Sequence, residues 1–553
     1  MRRMGLALVS SLFLLLLALF AVPARADHRA DVVLHNGKIF TADEGRPWAQ
    51  AVAIRGSRIV AVGDDRRVRA LEGPGTLSVD LGGRVVVPGF NDSHAHLGVG
   101  FPRLTLPPID IPGSGPSLAT AVDQVAQAVA VAAPGEWILA IVGERVILDP
   151  AATRRAIDPV APDNPVILLT WSSHSAVINT RAMQRAGIAE EEPNPFGGVY
   201  DRFPGTNVVN GVIHEYALFR LVRAVRATVP DAVLRAQFEA LTGLMAQVGV
   251  TTAQEMTIGL TRERSERVLE GAAIKARLRL MCVPMSLDES CDSTLFDLSD
   301  RLTSSGIKWL LDGTPVERSA ALREPYADFP GTGRFNATAG QLRRLVRRSL
   351  FGTPVRDQLL VHAFGDRALD NALGELDRAA PAFLWRLLRP RVEHGDLLQP
   401  EQIDKARRLG VVVVQNPTHL TLDLEPPLGP DRAAAAQPLK SLLDEGVHLA
   451  FGSDSPQPNP FIDLFFAVLH PLHPQEALTM EEAVTAYTRG SAFAEFQEWQ
   501  KGSIKPGYLA DLAVLSQDIF TIPLPAVPGT ASLLTLVGGE IVWDAGVVAR
   551  SRK

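Results

Sequence analysis

Eight short β-rich segments separated by amphipathic helical sequence constrain this chain more than any other feature. Strands are predicted at Val85–Phe90, Val250–Glu255, Leu278–Val283, Ile307–Asp312, Leu359–Ala363, Arg391–His394, Val411–Gln415 and Leu449–Ser453. Between them, stretches such as QLRRLVRRSLF and EQIDKARRLG repeat apolar residues with the helical period. Eight β-α units in series predict an α/β fold, a (β/α)8 TIM barrel. The first gap, of about 150 residues, is far too long for one crossover. It is expected to hold an insertion at about 101–245, with strand candidates WILAIV and PVILLT, lying over the barrel mouth.

The two ends of the chain resemble each other rather than the barrel. VVLHNGKIF, AVAIRGSRIVAVG and LSVDLGGRVVVPG each pair apolar runs around a glycine turn, and Asn36-Gly37 is a strong hairpin signal. LADLAVLS and SLLTLVGGEIVWDAG near the C-terminus read the same way. Open strand edges at both ends call for mutual cover, so residues 27–87 and 500–553 are expected to form one small β-sandwich flanking a barrel at 88–499. His35 reads as a surface turn residue.

The first 26 residues read as a signal peptide: a basic start at Arg2-Arg3, an apolar run from Gly5 to Val22, and a small-x-small site ending at Ala26. The alternative is an uncleaved membrane anchor. Cleavage implies an exported protein, periplasmic or secreted, with no membrane contact afterwards. The cysteines, Cys282 and Cys291, are too few to bind a metal. Cys282 lies in the apolar run LRLMCVPM and reads as a buried free thiol, although export would allow a disulfide. With 55 basic and 61 acidic residues the net charge is −6, and no basic stripe points to nucleic acid.

In a barrel of this kind, chemistry gathers at the C-terminal ends of the strands. The first strand leads into His94 and His96, which alternation places on one face. Strand four carries Lys308 and Asp312; strands five, six and eight end at His362, His394 and Asp454. Four of the twelve histidines and an aspartate thus converge on one mouth, a donor set suited to a metal ion.

The order His-x-His, Lys, His, His, Asp resembles the amidohydrolase superfamily, and within it the amidohydrolase-3 branch that includes N-substituted formamide deformylases. The phrases that carry the resemblance include PGFNDSHAHL, SSHSAVINTRAM, VHAFGDRALD, RVEHGD, FGSDSP and GSIKPGYLADLAVL, and together they span nearly the whole mature chain. The resemblance implies that His94, His96, His362, His394 and Asp454 are metal ligands. It implies too that Lys308 stands where many members carry a carbamylated lysine (N6-carboxylysine), whose two oxygens can bridge a pair of ions. One or two divalent ions are expected, zinc first, with iron or manganese open. Zinc can bring a water's pKa to ~7, so that hydroxide attacks a carbon–nitrogen bond, most plainly an amide, while Asp454 shuttles the proton to the leaving nitrogen.

Other polar residues are expected in lesser parts. His174 in TWSSHSAVINT, Glu215 in GVIHEYA and His419 after strand seven are candidate substrate contacts, with lid structure or a helix cap as the alternative for the first two. Asp366 and Glu393 read as supporting residues, and His470 and His473 as surface loop. Three phrases depart from the family pattern near the pocket: IVGERVILDP, Trp171 and GTPVERSAAL. The expected partner is a small-molecule substrate, with a homodimer left open. Two further readings stand beside the amidohydrolase: a deaminase of a heterocyclic amine, and a catalytically idle periplasmic binding or regulatory protein.

Overall fold

The computed structural model describes residues 29–98, 100, 115–291, 297–353 and 357–548. The expected signal peptide lies outside the described residues. Eight parallel strands form the central sheet: β1 (Phe90–Ala95), β2 (Val250–Met256), β3 (Arg277–Cys282), β4 (Leu302–Leu310), β5 (Leu359–Ala363), β6 (Arg391–His394), β7 (Val412–Gln415) and β8 (His448–Phe451). Sequence neighbours pair in order from β1 to β8. Strands such as LLVHA and VVVQ are apolar on both faces because helices cover the outside and side chains fill the inside. The helices between them start and stop where their caps dictate. Pro400–Leu409 opens with a capping box between Gln399 and Gln402, and ends at left-handed Gly410.

The barrel closes between β8 and β1 just past the ladder, where Asp454 N–H donates to His94 O at 2.8 Å and His96 N–H to Ser455 O at 3.2 Å. Gly452 permits this seam: a Cβ there would stand 2.4 Å from His94 N.

The first predicted strand is in fact two. Val85–Pro88 belongs to the sandwich, pairing with Lys38–Phe40 and Leu512–Leu515, and Phe90–Ala95 belongs to the barrel. Gly89 is the crossing point: its N–H donates to Asp511 O, Phe90 N–H donates to Gly249 O, and a Cβ on it would meet Thr251 at 2.2 Å. Strand four runs Leu302–Leu310, so Asp312 lies beyond its end.

Both chain ends build the sandwich. One sheet orders Arg58–Gly63, Ala51–Arg55, Val32–His35 and Leu77–Asp80; the other orders Glu540–Asp544, Ser532–Val537, Leu512–Leu515, Val85–Pro88, Lys38–Phe40 and Trp48–Ala49. Val32, Leu34, Val86, Leu512 and Leu534 share its core. The expected hairpin at Asn36-Gly37 is a crossover between the two sheets. Gly37 packs on Leu81, where a side chain would collide at 2.4 Å. His35 is a buried strand-end residue rather than a turn residue.

The insertion carries a five-stranded sheet, ordered Gly198–Arg202, Val209–Glu215, Ser175–Ile178, Val166–Thr170 and Ile138–Val142. Its apolar face and the helix Tyr216–Ala227 share a core with Met256, Met281, Leu310 and Leu360 of the barrel. The insertion is therefore welded to the barrel.

Two expectations are corrected here. Cys282 and Cys291 are joined in a disulfide, their Cα atoms 5.9 Å apart, because the loop after β3 returns upon itself within nine residues. His470 is buried, not on a surface loop: it ends the helix Pro460–Leu469 in a left-handed conformation and lies with Nε2 2.8 Å from Gln437 O. Pro471 stops the helix at that point and turns the chain inward. His473, its neighbour, is half-buried.

Candidate metal centre

His94 sits next to the end of β1 and His96 just after it, with their Nε2 atoms 3.3 Å apart. His94 Nδ1 lies 2.7 Å from Oε2 of Glu393, which also accepts from the buried guanidinium of Arg391. An ionised carboxylate only accepts, so Nδ1 carries the proton and Nε2 keeps its lone pair. That nitrogen faces Lys308 Nζ at 2.8 Å and Asp454 Oδ1 at 3.4 Å. The same reasoning orients His394: Nδ1 donates to Asn416 Oδ1 at 2.7 Å, and Asn416 Nδ2 is held in turn by Gly452 O. His362 turns Nε2 toward Gly313 O, 3.4 Å away, leaving Nδ1 as its acceptor.

The imidazoles form a contiguous cluster. Ring centroids lie 4.7 Å apart for His94 and His394, 4.4 Å for His362 and His394, and 5.2 Å for His394 and His419. His394 and Asp454 both have positive φ, 73° and 49°, a strain commonly stored at functional sites. The ladder and the β8–β1 seam hold them there.

Burial sets the electrostatics. It drives the pKa of His94 down and those of His96, His362 and His394 well down, with the Lys308 charge adding to the effect on the first three. These rings are neutral and have lone pairs to give. Burial would raise Asp454, but any charge on His94, the hydrogen bond from His419 and any charge on His96 lower it well below the usual carboxylate range; with His94 and His96 neutral, His419 is the cation left beside it. Burial brings Lys308 down to about 8 against the pull of Asp454 and Glu393, so its amine is partly unprotonated near neutral pH. His419 is the exception among the histidines. Against burial, Asp396 at 3.2 Å and Asp454 at 3.5 Å push it up to about 10.

The donor set fits a divalent ion. Ligand atoms of His94, His96 and Asp454 all lie within 4.8 Å of one another, as do those of His394, His419 and Asp454. The two groups share Asp454; His94, His96 and His394 offer neutral imidazole beside its carboxylate, the donor chemistry of zinc and its neighbours, whereas His419, protonated between Asp396 and Asp454, pairs with the carboxylate rather than with a metal. All six expected ligand positions meet at this mouth. His419, expected at the substrate, stands beside Asp454 in the second group, whereas His362 approaches through its ring contact with His394.

His174 and Glu215 come from the insertion and meet each other, Nδ1 to Oε1, at 2.9 Å. Glu215 does start the helix Tyr216–Ala227, but its side chain makes no cap bond. Burial would lower His174, yet Glu215 raises it to about 9. Its ring stands 4.9 Å from that of His362.

Sequence reasoning missed Arg391, Asp396 and Asn416. The i, i+2 spacing of Arg391 and Glu393 marks them for one strand face, and Asp396 repeats that spacing from His394. Asn416 had no signal beyond following β7.

Comparison with known proteins agrees with this geometry. The profile described as "Amidohydrolase family" matches residues 78–543. The protein LONG AFTER FAR-RED 3 of Arabidopsis thaliana is 30% identical, over 93% of this chain and 92% of its own. An N-substituted formamide deformylase of Arthrobacter pascens is 27% identical, over 93% and 98%. Among solved structures, an uncharacterized metal-dependent hydrolase from Pyrococcus furiosus superposes with a TM-score of 0.64 at 25% identity, covering 89% of this chain and 100% of that one. A profile match over most of the sequence, on a barrel with this histidine–aspartate mouth, shows that the chain belongs to the amidohydrolase family of metal-dependent hydrolases.

Proposed function

We propose that the protein hydrolyses a carbon–nitrogen bond other than a peptide bond, most directly the amide of a small N-substituted substrate, at a zinc centre built on His94, His96, His362, His394 and Asp454. The observation that carries this reading is the meeting of the His94, His96 and Asp454 ligand atoms within 4.8 Å of one another, beside His394, at the seam where the barrel closes. A bound divalent ion supplies Lewis acidity for the scissile carbonyl and acidifies a water toward ~7.

The chain's own residues supply the rest. Glu393 and Asn416 fix the tautomers of His94 and His394, so that both present Nε2 inward. Asp454 takes the water proton on a carboxylate oxygen and passes it to the leaving nitrogen. His419, paired with Asp396, keeps Asp454 ionised between turnovers. Lys308, with an amine near pKa 8, is suited to take up carbon dioxide as a carbamate. The Cys282–Cys291 bond supports an exported protein, since disulfides persist in oxidising compartments.

The test is a panel of N-substituted formamides, N-acetyl amines and aminated heterocycles, offered to zinc-loaded protein. Carboxylate and free amine from the amides are expected. Ammonia and ketone from heterocycles alone would make it a deaminase, and tight binding of less than about one metal equivalent would overturn the metal centre.

A further inference from the structure

The pair His174–Glu215 lies outside the barrel strands, yet the structure brings it against the metal ligands. Resting on the amide reading above, we propose that His174 is a catalytic residue supplied by the insertion: it hydrogen-bonds the scissile amide group, and Glu215 is the positioning residue that aims it.

Four observations carry the assignment. First, Glu215 holds the ring by Nδ1, and its own N–H donates to His174 O at 2.9 Å, so side chain and backbone lock the two residues together. Only Nε2 is then left to meet a substrate. Second, the ring stands between Phe219, with centroids 6.4 Å apart, and His362, at 4.9 Å, on the rim of the imidazole cluster. Third, Glu215 adopts φ 53° and ψ −126°, and its buried Oε2 has no hydrogen-bond partner among the described residues. A non-glycine residue in such a conformation, with an orphaned carboxylate oxygen, is a poor solution for stability alone. Fourth, the barrel makes room for it: a Cβ on Gly313, after β4, would lie 2.5 Å from Glu215 Oε1.

The insertion is pinned to the barrel at this point. Tyr216, next to Glu215, accepts the β4 N–H of Leu310 through its hydroxyl at 3.0 Å, and Ser172 donates to Glu317 in the loop after β4. The insertion phrase TWSSHSAV and the departure GTPVERSAAL therefore meet in one wall. His174 comes from the insertion and its ring neighbour His362 from the barrel sheet, 4.9 Å apart, so an amide bound at the barrel mouth would lie within reach of both.

The test compares wild type with His174→Gln and Glu215→Gln in the full, zinc-loaded chain, using N-benzylformamide as substrate and methylphosphonate as a tetrahedral anion probe. For His174→Gln, kcat is expected to fall about 100-fold, the scale of one lost transition-state hydrogen bond, with KM within about threefold. Bound zinc and Tm should stay at wild-type values, and methylphosphonate affinity should drop about tenfold. Glu215→Gln keeps an acceptor for Nδ1 but loses its charge, and an intermediate loss of about tenfold is expected. Wild-type kcat and methylphosphonate affinity in His174→Gln would overturn the inference, and so would a loss of activity that tracks loss of zinc, which would make His174 a prop for His362. Wild-type protein that binds methylphosphonate but cleaves no amide would sink the amide reading while the affinity ratio still decides the contact. Failure to bind the anion at all would overturn both.

Discussion

Replacing Glu393 by glutamine should cost both stability and metal affinity, and the size of each loss follows from three hydrogen bonds. Glu393 Oε1 accepts from Arg391 Nε at 2.7 Å; Oε2 accepts from Arg391 Nη2 at 3.0 Å and from His94 Nδ1 at 2.7 Å. Every neighbour is a donor, and both side chains are fully buried. A glutamine must turn its NH2 toward one of them. Facing Arg391 Nε, it sets donor against donor beside a buried guanidinium. Facing His94, it forces the proton from Nδ1 to Nε2 and removes the lone pair from the metal position.

Two estimates of the stability term agree. Breaking a buried ion pair from one side costs ~3–5 kcal/mol. Independently, burial opposes but Arg391 and His94 lower Glu393 from its ordinary 4.5 to about 2, a depression worth about 3 kcal/mol. A carboxylate with a depressed folded pKa contributes its stability above its unfolded value, so the wild type should lose this term as pH falls from 4.5 toward 2, whereas the glutamine variant lacks it throughout. Urea unfolding of the metal-free protein at pH 7 reads the stability loss. Competition with a zinc chelator should show affinity weakened about 10–100-fold, the usual effect of losing a ligand's carboxylate partner. Stability within about 0.5 kcal/mol of wild type, together with affinity within about threefold, would refute the argument that Glu393 sets the His94 tautomer.

Four other variants probe the rest of the site and its frame. Asp454→Asn should lower kcat at least about 1,000-fold with an unchanged circular dichroism spectrum, since the proton shuttle is lost; retained turnover would refute that role. The proposed carbamate on Lys308 predicts that Lys308→Ala loses activity and regains it in millimolar acetate or propionate; an absence of rescue would refute the carbamate. Gly452→Ala forces a methyl against His94 N and Cβ, at 2.4 and 2.6 Å, where backbone cannot yield; about 1–3 kcal/mol of overpacking and reduced zinc occupancy are expected from unfolding curves and elemental analysis. Replacing Cys282 and Cys291 by serine opens a nine-residue separation and should cost about 2–3 kcal/mol by chain entropy. Thiol titration of unreduced wild type should find no free thiol.

The barrel was legible because its strands advertise themselves. Leu359–Ala363 is a largely apolar run, Arg391–His394 lies between Pro390 and Gly395, and the structure places both at the predicted limits. The errors cluster where one local signal serves two sheets. Val85 to Phe90 is a continuous apolar run, and only contacts with Thr251 and Asp511, far away in sequence, split it at Gly89. Asn36-Gly37 has the composition of a hairpin, but the core behind Leu81 separates its two strands into different sheets. Cys282 looked like a core thiol because strand pattern does not report where the following loop returns.

The sequence by itself determined the fold class and pointed to a candidate ligand set, since strand periodicity and the order of His94, His96, Lys308, His362, His394 and Asp454 are one-dimensional facts. Only the tertiary structure decided how those groups are aimed. The tautomer of His94 depends on Glu393, which lies 299 residues away in the chain, and that of His394 on Asn416. Asp454 closes the seam and joins both ligand groups, and His174 reaches the mouth from another sheet. Hydrogen bonding and burial act through space, and they set which nitrogen is free and which carboxylate stays charged.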